Sequence, residues 1–402
     1  MVVWCLKYTV SAPDWSPFPP PNSPPTVDFA LSRPFKRGAL DLQHRVVLAP
    51  LTRCRSPNNV SPALATTYYS QRASPGGLLI SEGVAVSEAA RGYVDVPGLW
   101  REDQVAAWRR VTEAVHARGA LIFAQLWHVG RASLRAYQPG GQAPVSASAV
   151  AVGEPFLGLD PVTFQQVPLD APQALTQEGI RQTIADFVTA ATNAMAAGFD
   201  GVEVHGANGY LLEQFLSDAV NRREDAYGGS VPNRARFALE LVDAVVGAVG
   251  AERVAVRLSP YNRFLNSPTS DAEEVYVRLV RELTARHALA YVHLVEGRVM
   301  GSAEASEPTP ALDSVARASA APVMLAGGYT RETGAAAVEE GRGDLVAFGR
   351  LFLANPDLPL RFAKNAPLNP PNRATFYAPP GGSDPAVGYT DYPFAEIGVP
   401  QP

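Results

Sequence analysis

The chain has 402 residues, 47% apolar, 18% charged and 9% aromatic, an ordinary globular composition that can bury a large core and excludes a wholly disordered chain. Its 34 Lys and Arg against 39 Asp and Glu leave a formal net charge of −5, which argues against nucleic acid or an acidic membrane surface as partner. Two cysteines, Cys5 and Cys54, are too few for a disulfide scaffold or a thiolate zinc site and point to a reducing compartment.

Residues 1–27 read as a Pro-rich tail, since Pro13, Pro17, Pro19, Pro20, Pro21, Pro24 and Pro25 remove backbone donors and hold the chain extended. The first apolar run, VVWCL, is stopped by Lys7, and no run approaches the roughly 20 apolar residues that span a bilayer. The expectation is a soluble, cytoplasmic protein. Plastid targeting by the tail is the alternative, although the tail is not Ser-rich and basic as a leader would be.

From residue 44 onward, short β-branched runs alternate with helical patterns. Strands are predicted at 45–50, 77–83, 120–127, 200–206, 253–259, 290–297, 322–328 and 344–350. Helices are predicted at 61–73, 101–118, 177–197, 232–249, 271–287, 309–319, 331–341 and 355–363. Asp271 and Thr330 are the expected N-caps, and Gly119 and Gly341 the expected stops where left-handed geometry is useful. Eight β/α repeats with strands apolar on both faces predict a single (β/α)8 TIM barrel over residues 28–402. A doubly wound sheet would carry a glycine fingerprint after its first strand, and RVVLAPLTR has none. Residues 128–175, rich in Pro and Gly, are too long for an ordinary βα loop and predict a capping insertion after strand three.

A barrel of this type carries its chemistry at the carboxyl ends of its strands. There the sequence presents Pro50, Leu51 and Thr52; Glu82 and Gly83; Gln125 and Trp127; His205, Asn208 and Tyr210; Arg257; Glu296 and Arg298; and Gly327, Gly328, Gly349 and Arg350. Glycines after strands seven and eight beside an arginine suit a phosphate cradle, and the plain alternative is a pair of tight turns. In HGANGY, His205 and Asn208 can both donate to one oxygen, and the Tyr210 phenol stays protonated at neutral pH and can act as a general acid. The alternative is a hydrogen-bonded structural histidine. No metal is expected, because the six histidines show neither HxH nor HExxH spacing.

The segments RVVLAPLTRCRS, YYSQRASPGG, QLWHVGR, NAMAAGFDGVEVHGANGYLLEQFLSD, YGGSVPNR, AGGYTRE and FGRLFLANPDLPLRF resemble the Old Yellow Enzyme family of flavin-dependent ene-reductases, and among them the plant 12-oxophytodienoate reductases. The resemblance implies tightly bound FMN, NADPH as reductant, and reduction of the C=C bond of α,β-unsaturated carbonyl compounds. It implies that Thr52 bonds the flavin beside N5 while Pro50, Leu51 and Gly83 pack on the ring. Gln125 would pair with the pyrimidine edge, Arg257 would lie beside N1 and O2, and Gly327, Gly328, Gly349 and Arg350 would hold the phosphate. His205 and Asn208 would bind the substrate carbonyl oxygen and Tyr210 would protonate the α-carbon, with Trp127, Arg298 and Tyr377 lining the pocket. The partner is a small molecule, with no nucleic acid, membrane or obligate protein partner evident.

Some features depart from that pattern. The tail is additional, the APPGGSD stretch after Tyr377 is long, and Cys54 sits two residues past Thr52, unlike the subgroup that sets a cysteine against the flavin. The ending GVPQP carries no peroxisomal address. The absence of GxGxxG makes a separate dinucleotide domain unexpected, so nicotinamide and enone would share one site in ping-pong turnover. A barrel hydrolase using Glu82, Glu203 or Glu296 is the main rival. It lacks a carboxylate at the end of strand seven, where a retaining glycosidase commonly has one. A Schiff-base aldolase has no strand lysine to use, and a flavin-storage protein would have no use for the His, Asn and Tyr trio.

Overall fold

Apolar side chains on both faces of a strand require cover on both sides, and closing the sheet supplies one of them. The computed structural model describes residues 29–300, 303–304, 310–377 and 384–396; the Pro-rich tail and most of the APPGGSD stretch lie outside them. Eight parallel strands close into a barrel: β1 Val46–Leu48, β2 Leu78–Ala85, β3 Leu121–Trp127, β4 Gly201–Gly206, β5 Val254–Leu258, β6 Tyr291–Val295, β7 Val323–Ala326 and β8 Leu345–Phe348. Each falls within or close to its predicted run. Register Val346↔Val46 closes the ring, and a bulge between Ile80 and Gly83 carries β2 two residues beyond its predicted end.

Inside the barrel, Val47, Ile80, Phe123, Ala255, Tyr291, Met324 and Leu345 meet. A hairpin of Phe35–Arg37 and Leu40–Leu42 adds Phe35, Leu40 and Leu42 to this cluster, so the amino-terminal end of the barrel is plugged. The second layer lies between strands and helices and is built on residues such as Trp108, Phe187, Phe215, Leu241 and Leu279.

The helices are α1 Ala63–Arg72, α2 Glu102–His116, α3 Gln177–Ala196, α4 Leu211–Leu216, α5 Val231–Val249, α6 Ala272–Arg286, α7 Asp313–Arg317, α8 Arg331–Glu339, α9 Arg350–Ala354 and α10 Leu358–Lys364. Thr330 caps α8 as expected, accepting from the Thr333 N–H. Asp271 occupies the N-cap of α6 without capping it, because its carboxylate is paired with Arg234. Gly119 and Gly341 take positive φ at their helix ends. The helix expected at 355–363 is α10, beginning at Leu358, whereas α9 and α4 went unforeseen because five and six residues give no periodic signal.

The insertion after β3 is a cap. It carries an antiparallel pair, Leu157–Leu159 with Gln166–Pro168, and a parallel pair, Val145–Ser146 with Gln173–Ala174. Arg131 fastens it by donating to the carbonyls of Val150, Ala151, Leu265 and Asn266.

Candidate active site

The carboxyl ends of the strands surround a cavity of about 630 Å³. Pro50, Leu51, Thr52, Gln125, His205, Asn208, Tyr210, Arg257, Gly327, Gly328, Gly349, Arg350 and Tyr377 all line it, so the fold gathers most of the residues singled out in the sequence. Gly83, Trp127 and Arg298 stand outside its wall. A Cβ on Gly83 would lie 2.6 Å from the Trp127 indole, so this glycine serves packing of that ring. Trp127 is buried behind the site, its ring 4.9 Å from that of Tyr210 and 6.2 Å from that of His205. Arg298 is exposed, donates 2.6 Å to the Gly327 carbonyl and lies over the Tyr329 ring, which braces the rim instead of lining the pocket.

On the β7–β8–β1 side the wall is backbone. Gly327 and Gly328 have φ of +115° and +70°, and a Cβ on Gly327 would come within 2.8 Å of the Glu296 Cβ. Thr330, N-cap of α8, and Gly349, which precedes α9, also face the cavity. First-turn N–H groups have no partner within their own helix, and the helix dipoles add positive potential there. This side of the cavity suits an anion such as a phosphate.

Across the barrel floor, Gln125 and Arg257 rest on a buried network. Gln125 Nε2 donates 2.7 Å to Glu203 Oε1, and His293 Nδ1 lies 2.8 Å from Glu203 Oε2. Burial works to raise the Glu203 pKa, but His293, Arg257 and the Gln125 amide outweigh it and hold the carboxyl below its usual range. An ionised carboxylate only accepts, so His293 Nδ1 carries a proton. The Gln125 amide is thereby oriented, with its oxygen and second N–H uncommitted to Glu203. Arg257 is buried and lines the cavity; its Nε is enclosed without a hydrogen-bond partner, so what the residue brings to the cavity is the charge of its guanidinium.

The β4 loop provides the third wall. The Ala207 N–H donates to His205 Nδ1, so the proton of the neutral ring sits on Nε2. Burial, and then the Arg257 charge, drive the His205 pKa well below 6.5, which keeps the ring neutral. Asn208 has φ +58°, and its N–H donates 2.8 Å to Ser259 Oγ. The Tyr210 hydroxyl lies 3.1 Å from that of Tyr93, and burial raises the Tyr210 pKa well above 10. Two neutral donors and a protonated phenol therefore share one wall, a set able to hold a carbonyl oxygen and deliver a proton.

Sequence reasoning missed several lining residues, among them Tyr93, Phe264, Tyr329, Arg373 and Phe376. Tyr329 follows the β7 glycines and was within reach of the strand-end rule; the other four lie on segments with no periodic pattern, and long-range packing brings them in. Phe376 and Tyr377 are held over the cavity because Arg53 and Arg55, just past Thr52, donate to the carbonyls of Phe376 and Thr375. The carboxylates of the hydrolase rival do not face the cavity. Glu203 is tied to Gln125 and His293, Glu82 accepts the Arg53 N–H, and Glu296 accepts the Tyr329 hydroxyl at 2.6 Å.

Comparison with known proteins bears on the family and the fold. Residues 30–369 match the NADH:flavin oxidoreductase / NADH oxidase family. The chain is 48% identical to 12-oxophytodienoate reductase 2 of Arabidopsis thaliana over 372 residues, 91% of this chain and 96% of that protein. It is equally identical to putative 12-oxophytodienoate reductase 5 of Oryza sativa subsp. japonica over 368 residues, covering 91% and 95%. Among solved structures, morphinone reductase superposes with a TM-score of 0.85 at 43% identity, covering 92% of this chain and 97% of that one. The old yellow enzyme homologue from Zymomonas mobilis does so at 0.83 and 38%, covering 90% and 99%.

Proposed function

The chain belongs to the NADH:flavin oxidoreductase / NADH oxidase family and is an NAD(P)H-dependent FMN oxidoreductase, and from that premise we propose that it is an ene-reductase, reducing the C=C bond of α,β-unsaturated carbonyl compounds with NADPH. The observation that carries this reading is the β4 wall, where the His205 Nε2–H, Asn208 and the Tyr210 phenol line one cavity.

The residues present fit FMN. Gly327, Gly328, Gly349 and Arg350 would take its phosphate, on backbone whose close packing, with Glu296 2.8 Å from any Cβ at Gly327, admits only glycine there. Pro50, Leu51 and Thr52 would face the ring from the β1 end. Gln125 offers one acceptor and one donor edge to a pyrimidine, and the Arg257 guanidinium on the cavity wall would set positive charge beside the ring that reduction makes negative. When bound, the flavin relays hydride from the nicotinamide to the substrate β-carbon.

His205 and Asn208 would hold the carbonyl oxygen by donating to it, which polarises the conjugated double bond and stabilises the enolate-like charge that develops on that oxygen. Tyr210 would give its hydroxyl proton to the α-carbon, and Tyr93, 3.1 Å away, would steady the phenolate left behind and hand on its replacement proton. Nicotinamide and enone would use the same mouth in turn, which makes turnover ping-pong. That morphinone reductase forms a complex with tetrahydroNAD supports a nicotinamide dinucleotide as the reductant.

The test is the absorption spectrum of the purified protein, followed by anaerobic reduction with NADPH or NADH and reoxidation by cyclohexenone. A flavin band, faster reduction by NADPH and enone-driven reoxidation are expected. A flavoprotein whose reduced form no enone reoxidises would refute the ene-reductase reading while leaving the family assignment intact.

A further inference from the structure

Glu213 lies on α4, three residues past Tyr210, and only 1% of it is exposed. Burying an acid is costly unless its oxygens are satisfied, and among the described residues it forms no salt bridge. Three hydrogen-bond donors come from the loops after β4 and β5, the Gly209 N–H at 3.0 Å and Ser259 Oγ at 2.7 Å on Oε2 and Asn262 Nδ2 at 3.3 Å on Oε1, and the buried Tyr276 hydroxyl of α6 faces the same carboxyl. Ser259 Oγ in turn accepts the Asn208 N–H at 2.8 Å. The next residue, Gln214, donates to the Gly209 carbonyl at 2.8 Å, so consecutive side chains of α4 grip Gly209 by its N–H and by its C=O.

The turn needs such a grip. Asn208 and Gly209 both have positive φ, +58° and +75°, a region that glycine and, at some cost, asparagine adopt and that other side chains rarely do. We propose that Glu213 is a positioning residue for Asn208: by accepting the Gly209 N–H directly and the Asn208 N–H through Ser259 Oγ, it fixes the left-handed turn that keeps the Asn208 carboxamide on the cavity wall. Burial raises the Glu213 carboxyl to about 7, against the pull of its donors, as expected for an acid kept for its oxygens and not for an ion pair. The inference rests on the reading of Asn208 as a donor to the substrate oxygen.

The experiment uses full-length, FMN-loaded protein carrying Glu213→Ala, Glu213→Gln or Ser259→Ala. Three quantities are read: affinity for p-chlorophenol from its long-wavelength charge-transfer band, retained FMN, and hydrogen exchange of the peptide covering residues 206–212. Glu213→Ala is expected to weaken phenol binding roughly 10- to 100-fold, as for a buried donor left unsatisfied, and to speed exchange while FMN content is unchanged. Glu213→Gln keeps one acceptor oxygen and should restore most of the affinity. Ser259→Ala, a smaller change that cuts only the relay to the Asn208 N–H, should weaken binding roughly 3- to 10-fold. Unchanged phenol affinity and exchange in Glu213→Ala would overturn the proposal, as would loss of FMN in parallel with phenol in both Ala variants. A wild-type protein that gives no band with any phenol would instead refute the reading of Asn208 itself, and the inference with it.

Discussion

Replacing Tyr210 by Phe isolates one atom. The ring meets Trp127 and His205 edge-on, with centroids 4.9 and 5.1 Å away, and phenylalanine preserves both contacts. The substitution loses the hydroxyl and its 3.1 Å contact with Tyr93, a stability cost of about 1 kcal/mol. Burial raises the phenol pKa well above 10, so in the wild type the proton is present at every working pH. Loss of a general acid slows its step by roughly 10² to 10⁴, which corresponds to about 3–5 kcal/mol of barrier. The assay is anaerobic stopped-flow, with the two half-reactions measured separately. Reduction by NADPH and reoxidation by oxygen should be nearly unchanged, while reoxidation by cyclohexenone slows by that factor. If both halves slow together, Tyr210 positions the cofactor. If neither slows with any enone, another acid supplies the proton and the role given to Tyr210 is wrong.

Gly327→Ala forces a Cβ to 2.8 Å from that of Glu296 at a φ of +115°, so it should destabilise the protein by about 1–3 kcal/mol and release FMN, read by melting temperature and by flavin content after gel filtration. Arg257→Met keeps the length and removes the charge; the flavin midpoint should fall by on the order of 30–60 mV, about 1.4–2.8 kcal/mol for two electrons, as measured by dye equilibration. Because burial and Arg257 hold His205 neutral, enone and phenol affinity should show no ionisation near pH 6.5, and a limb there would assign the wrong protonation state. Burial raises Glu82 to about 7, so the native state keeps a proton that the unfolded chain releases above its carboxylate pKa, and this contribution to stability is lost as pH rises from 4.5 to 7. Glu82→Gln should therefore gain on the wild type over that interval by about 3 kcal/mol at most, measured by denaturant titration at both ends.

The eight strands were legible because each is a short apolar run bounded by turn residues, and the barrel followed from counting them. The strand-end residues were legible for a related reason: once a strand is placed, its carboxyl end is known, and in this fold that end faces the site. Gly327, Arg257 and His205 all reached the cavity on that rule. The rule failed where backbone direction and side-chain direction part company. Trp127 ends β3 but turns behind Tyr210, and Arg298 lies beyond β6 on a surface where the Gly327 carbonyl and the Tyr329 ring hold it. Tyr93 and Phe376 could not be found at all, since neither lies at a strand end and each reaches the wall through contacts far away in sequence.

Those distant contacts share a chemistry. The 34 basic residues include only three lysines, Lys7, Lys36 and Lys364, and several of the arginines lie buried under loops. Loops wrapped over a barrel mouth bury carbonyls that have no sheet or helix partner, and each must still be satisfied. A guanidinium offers five donors in a fixed plane and stays charged, whereas an ammonium offers three around one point and loses its proton more readily when buried. Arg131 serves four carbonyls across the cap and the β5 loop. Arg72, lying 3.8 Å over Tyr68, serves Tyr68, Phe352 and Leu353 behind β8. Arg53 and Arg55 tie the loop after β1 to the carboxyl-terminal segment at Phe376, Thr375, Val387 and Gly388. Even with burial pulling Arg72 and Arg131 down to about 10, both remain cations at neutral pH. The cap, the loop after β1 and the carboxyl-terminal segment that close the cavity are therefore hung from buried arginines, and the shape of the pocket depends in part on residues that are not on its wall.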